Sequence, residues 1–168
     1  MSQRPLDEVD VLVEAWRRER PDLDVAPLEV LSRVSRLARH LDLARRDAFD
    51  THDLEPWEFD VLAALRRAGS PYALSPGRLL QVTLVTSGTM TNRIDRLEAR
   101  GLVSRVPDPH DGRSVQVVLT EGGRTRVDDA LTDLLAHERA ILSALEGEDR
   151  QQLADLLRRL TRPFDNAD

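Results

Sequence analysis

A mainly helical fold with one small β-hairpin wing, an α+β class built as a winged helix-turn-helix, is what this 168-residue sequence predicts. Three observations point there. Apolar residues recur at helical spacing through most of the chain. Between Leu102 and Leu119 the period drops to two around a turn rich in Pro and Gly. The stretch before it, SPGRLLQVTLVTSGTMTNRIDRLEARGLVSRV, reads as two short helices joined by a turn. With 40 % hydrophobic residues but only 4 % aromatic ones, Leu, Val and Ala must fill the core.

Leu6, Val9, Val13 and Trp16 mark a first helix that Arg20-Pro21 stops, because the residue before a proline is pushed out of the α region. Pro27 can open the second, where Leu31, Val34, Leu37, Leu41 and Ala44 form a stripe among arginines, the pattern of a helix packed on one side. Pro56 opens a third helix that Gly69 and Pro71 end. Its apolar residues Phe59, Val61, Leu62 and Leu65 point several ways, so burial on more than one side is expected. Ser75 caps a short helix through Leu79 and Leu80, and a further helix runs from about Ser87 to Arg100 before Gly101. The hairpin follows, with Pro107, Pro109 and Gly112 in its turn and Arg113 near its tip. Thr120 then caps a long helix, and a last one carries Leu153, Leu156, Leu157 and Leu160.

Composition narrows the function. No cysteine is present, which excludes disulfide scaffolds, thiolate metal sites and Cys nucleophiles. The four histidines match no zinc spacing, no Gly-x-Ser-x-Gly elbow or phosphate-cradling glycine loop occurs, and so neither an enzyme nor a cofactor is expected. No apolar run approaches the roughly 20 residues of a membrane span, and the N-terminus lacks the order of a signal peptide, so a cytoplasmic protein is expected. All 24 basic residues are Arg, a usage that fits a GC-rich bacterial genome. The net charge is −6, yet Ser75 to Arg126 holds eight Arg against five Asp and Glu. An acidic chain with one basic lobe turns that lobe toward a polyanion.

The helix from Ser87 suits the major groove of DNA. At ~100° per residue, Met90, Ile94 and Leu97 share one side, while Gly88, Thr89, Asn92, Asp95 and Arg96 share the other. Asn92 suits adenine, and Arg96 suits guanine or a phosphate. Ser87, Thr89 and Thr91 complete the candidate DNA contacts on the helix. Arg113, steadied by Asp111, is placed to enter a minor groove from the hairpin tip. The same core also occurs as a protein-interaction module, and salt dependence separates the two readings.

WEFDVLAALRRAG, TSGTMTNRIDRLEARGLVSR and DPHDGRSVQVVLTEGGR together resemble the MarR-type winged-helix repressors over nearly the full length of the chain. The resemblance implies one domain over 1–168, with dimerisation helices at 27–50 and 121–164 and the DNA-binding lobe at 55–120. It implies a homodimer on a pseudo-palindrome in double-stranded DNA. A urate-responsive branch of the family is similar in carrying an extra N-terminal helix, here 5–20, with a Trp. Matched motif by motif, its ligand residues fall on Trp16, Asp60, Arg93 and Arg105. In that branch the Trp and wing Arg hold the urate anion, which repels an Asp tied to the recognition-helix Arg. A small anionic effector is thus implied, either urate or another such as a phenolic acid or polycarboxylate. From the residues alone, Trp16 fits a core or dimer contact as well, and Arg105 fits a phosphate contact. Asp60, with only Ala63 and Ala64 beside it on a mostly apolar helix, is expected to be half-buried with few solvating neighbours.

Overall fold

The computed structural model describes residues 6–83, 86–109, 111 and 114–165, and its contacts divide the chain into two compact units, Met1–Arg45 and Arg46–Asp168.

In the first unit Asp7 starts helix α1 (Glu8–Glu19) by accepting the backbone N–H groups of Val9 and Asp10, each at 2.9 Å. Asp10 returns a carboxylate to the Asp7 N–H at 2.9 Å, which closes a reciprocal cap. Val9 and Val13 pack with Val25 and Leu28 in a small apolar cluster. Arg33, on helix α2 (Ala26–Asp50), adds a bidentate grip on Asp7 at 2.8 and 2.9 Å and reaches Asp10 at 2.7 Å. That guanidinium and the capped N–H groups hold the Asp7 carboxyl down at about 2. On α2, Leu31, Val34 and Leu37 are more than a third exposed among the described residues.

The second unit is built on α3 (Pro56–Arg67), which buries Glu58, Phe59, Val61, Leu62, Ala63, Ala64 and Leu65 and is the many-sided core helix expected. Phe59 stacks on Phe49, from the end of α2, with ring centres 4.2 Å apart. Helix α4 (Pro76–Thr83) begins where Ser75 accepts the Arg78 N–H at 3.2 Å and drives Leu79 into the core. Helix α5 (Ser87–Ala99) ends at Gly101, whose φ of +68° a side chain would resist. A three-stranded antiparallel sheet follows the order β1 (Ala73–Leu74), β3 (Val115–Leu119), β2 (Val103–Pro107). Val103 faces Leu119, and Arg105 faces Val117. The two-residue β1 is too short to show a period and has no sequence signal.

Thr120 caps α6 (Glu121–Ile141) by accepting the Gly123 N–H at 3.0 Å and donates its own hydroxyl proton to the Gly101 carbonyl at 2.8 Å. A Cβ on Gly123 would stand 2.1 Å from the Leu102 carbonyl oxygen, so only glycine lets α6 start against the link between α5 and β2. A 3-10 turn (Leu142–Ala144) leads to α7 (Gly147–Asp165), which buries none of the residues whose burial is described and leaves Leu156, Leu160 and Phe164 exposed.

Candidate nucleic-acid interface

Helix α5 is anchored by Met90, Ile94 and Leu97, each at most 1 % exposed, and turns Ser87, Gly88, Thr89, Thr91, Asn92, Asp95 and Arg96 to solvent. The two-sided pattern read from the sequence is therefore the pattern of the folded helix. Its hydroxyls are partly engaged. Thr91 donates to the Ser87 carbonyl at 3.2 Å, and the Thr89 hydroxyl lies 2.9 Å from that of Thr86. Asn92 makes no side-chain hydrogen bond among the described residues, so its amide is open to a base edge. Gly88, Thr89, Asn92, Arg93 and Arg96 line a shallow depression of about 460 Å³ that is floored by Trp57.

Arg96 is not loose. Its Nη2 donates to Glu55 Oε1 at 2.7 Å, and its guanidinium lies 4.8 Å from the Trp57 ring centre. The Trp57 N–H donates to the other Glu55 oxygen, also at 2.7 Å. These two contacts, the indole first, hold the Glu55 carboxyl below the usual range. The sequence reading missed Glu55 and Trp57, because their part depends on α3 and α5 crossing at this point.

In the wing, the Asp108 N–H donates to the Ser114 carbonyl and the Ser114 N–H to the Asp111 carbonyl, each at 2.9 Å. Arg113, the expected minor-groove contact, lies outside the described residues.

The four residues matched to the urate-responsive branch fall as follows. Trp16 is on α1 in the first unit and is 47 % exposed. Asp60 corrects an expectation, for it is exposed. The half-turn that carries Phe59 into the core turns Asp60 outward, and the buried carboxylate of α3 is Glu58. Arg93 lies over Trp57, its guanidinium 5.3 Å from the ring centre. Arg105 bridges strand β2 to α5. It pairs with both Asp95 and Glu98, and its backbone N–H donates to Glu98 at 2.9 Å. Burial disfavours the Arg105 cation, but the bonds to Asp95 and Glu98 outweigh it and hold the group more firmly protonated than a free arginine.

A second network ties down the far end of α5. Arg100 donates to buried Glu58 at 2.6 Å and to Asp53 at 2.6 Å, and Arg126 of α6 reaches Asp53 at 3.4 Å. The Glu58 oxygen that Arg100 holds also accepts the Glu55 N–H at 2.9 Å, so one carboxylate caps α3 and anchors α5. The spacing Glu55-Pro56-Trp57-Glu58 is a capping signature that could have flagged Glu58. Nothing in sequence links it to Arg100. Among the described residues no cluster of His, Cys, Asp and Glu could hold a metal, and no helix is long and apolar enough to cross a membrane.

A MarR family model matches residues 52–114, the stretch from the turn before α3 into the wing. The transcriptional regulator PecS of Dickeya dadantii is 39 % identical over 95 % of this chain and 96 % of its own length. A solved structure of Bordetella bronchiseptica BpsR, whose DNA binding is regulated by 6-hydroxynicotinic acid, is similar with a TM-score of 0.64. It is 28 % identical and covers 83 % of this chain and 94 % of that one. A variant of Escherichia coli MarR complexed with operator DNA gives a TM-score of 0.67 at 26 % identity, covering 81 % and 94 %.

Proposed function

The chain belongs to the MarR family of transcriptional regulators, and on that premise we propose that it acts as a homodimeric repressor released from its operator by a small anionic aromatic effector. It is a DNA-binding regulator by family and not an enzyme. Each copy sets α5 into a major groove of a pseudo-palindrome and lays the wing, with Arg113, along the neighbouring minor groove. Ser87, Thr89, Thr91, Asn92 and Arg96 are the contacts on the helix.

The observation that carries this reading is the division of α5 into a buried spine of Met90, Ile94 and Leu97 and an exposed polar side on which the Asn92 amide stands open. Support for the dimer comes from apolar faces that the described residues leave exposed. Val30, Leu31 and Val34 on α2, Leu131 and Leu135 on α6, and Leu156 and Leu160 on α7 are between 39 % and 56 % exposed, and a second copy of the same helices would cover them.

For the effector, urate is the first candidate, with Trp16, Asp60, Arg93 and Arg105 as its residues. BpsR responds to a hydroxylated aromatic acid of similar size and charge, which supports that ligand class. An anion that takes Arg105 frees Asp95 and Glu98 from it and loosens the wing from α5. Anisotropy on a duplex from upstream of the protein's own gene tests both halves of the proposal. Asn92→Ala is expected to weaken binding to this duplex more than to a scrambled one. Urate is expected to release the native protein and to release Trp16→Phe less readily. Equal loss on both duplexes removes base reading by Asn92. Indifference to millimolar urate moves the effector to another anion, a phenolic acid or polycarboxylate.

A further inference from the structure

Glu55 sits on the DNA side of the second unit with both carboxylate oxygens occupied, Oε1 by Arg96 and Oε2 by the Trp57 N–H, each at 2.7 Å. From this geometry we infer that Glu55 is a brake on DNA binding: it holds Arg96 against Trp57 in the free protein, and Arg96 must leave it to reach the duplex. The inference rests on the DNA-binding reading above.

The capping box that Glu55 forms with Glu58 at the start of α3 does not involve Arg96. Glu55 serves the cap through its backbone, the N–H donating to Glu58 at 2.9 Å and the carbonyl accepting from Glu58 and Phe59 at 2.9 and 3.1 Å. One side-chain oxygen is bound by Trp57 of α3 itself, and the other reaches Arg96 on the neighbouring helix. Trp57 aims one oxygen and offers its ring face to Arg96 at 4.8 Å, so a flexible arginine is held from two directions. Both members of the pair are just over half exposed, 54 % and 55 %, so the bond breaks readily when a competing anion approaches. The Trp57 N–H first, and then Arg96, hold the Glu55 carboxyl below the usual range and so favour its charged form.

A DNA phosphate repels Glu55 and attracts Arg96, so docking trades one anion for another at this guanidinium, and part of the attraction is cancelled. The loss is the same free energy on any duplex that takes Arg96. Glu55 thus lowers DNA affinity through Arg96.

The test is a cycle of Glu55→Gln, Arg96→Ala and the double variant, read by anisotropy on the upstream duplex and on a scrambled duplex of equal length, with melting curves alongside. Glu55→Gln is expected to tighten binding to the scrambled duplex by about 2–5-fold for each lobe engaged, the range of an exposed ion pair. A gain of similar fold is expected on the upstream duplex. In the Arg96→Ala background the gain is expected to vanish. A gain of equal size in both backgrounds overturns the brake, since Glu55 then acts by plain repulsion. Absence of any gain also overturns it. So does weaker binding with a lowered melting temperature, which marks a purely structural role. If the native protein binds neither duplex at low salt, it is the regulator reading that fails, an outcome distinct from binding without coupling.

Discussion

Replacing Arg100 with Met tests what holds the recognition helix to its lobe. Glu58 is 1 % exposed, its Oε1 has no hydrogen-bond partner among the described residues, and its Oε2 depends on Arg100 at 2.6 Å and the Glu55 N–H at 2.9 Å. Methionine keeps most of the aliphatic stem and deletes the charge, leaving a carboxylate in the core with one N–H to answer it. Breaking a buried pair from one side costs about 3–5 kcal/mol. The Arg100 side chain is 29 % exposed and water can follow it inward, so the lower end, about 3 kcal/mol, is expected. In a chain of this size each kcal/mol moves the melting temperature by about 2–4 °C, which gives a drop of roughly 6–12 °C. Calorimetry at one fixed protein concentration reads it. Adding Glu58→Gln removes the stranded charge and is expected to recover at least about 1.5 kcal/mol, the signature of coupled sites. A drop under about 2 °C, or losses that simply add in the double variant, refutes the assignment of Glu58–Arg100 as the anchor.

Gly123→Ala would place a Cβ 2.1 Å from the Leu102 carbonyl and 2.9 Å from Leu119, and is expected to destabilise by about 2–3 kcal/mol in urea unfolding. Gly122→Ala, with nothing nearer than 3.9 Å, is the control and is expected to leave stability unchanged or raise it. Arg105→Gln frees Asp95 and Glu98 beside the DNA face. It is expected to weaken operator affinity several-fold in anisotropy while costing at most about 1 kcal/mol of stability, because Asp95 and Glu98 are 61 % and 38 % exposed. Asp7 has its pKa lowered from 3.8 to about 2 on folding, so its contribution is complete above pH 3.8 and is lost as pH falls toward 2. The stability difference between native protein and Asp7→Asn is expected to be constant from pH 7 to 4 and to vanish near 2. A carboxyl carbon shift titrating at 3.8 contradicts the Arg33 clamp.

Much of the fold was legible because its determinants are local. Pro56, Gly101 and Thr120 mark element ends by backbone chemistry that needs no tertiary partner. The spine of α5 follows from helical period alone. What was not legible depends on elements meeting. The strand Ala73–Leu74 exists only because β3 is there to pair with it. Glu55, Trp57 and Arg100 acquire their roles from the crossing of α3 and α5. Asp60 was misjudged because its alanine neighbours suggested enclosure, while the direction of the helix face, set by Phe59 and Leu62, turned it to water. The α2 stripe was read correctly as apolar, but no rule of spacing says whether the chain itself or another copy covers it.

Salt titration of binding to the upstream duplex tests whether the exposed side of α5 rests on DNA. Log affinity is expected to fall linearly with log salt with a slope of several units, at about 0.9 per phosphate neutralised, and with a shallower slope for Arg96→Ala. Affinity indifferent to salt, or a slope the Arg96 variant leaves unchanged together with its affinity, would contradict that placement.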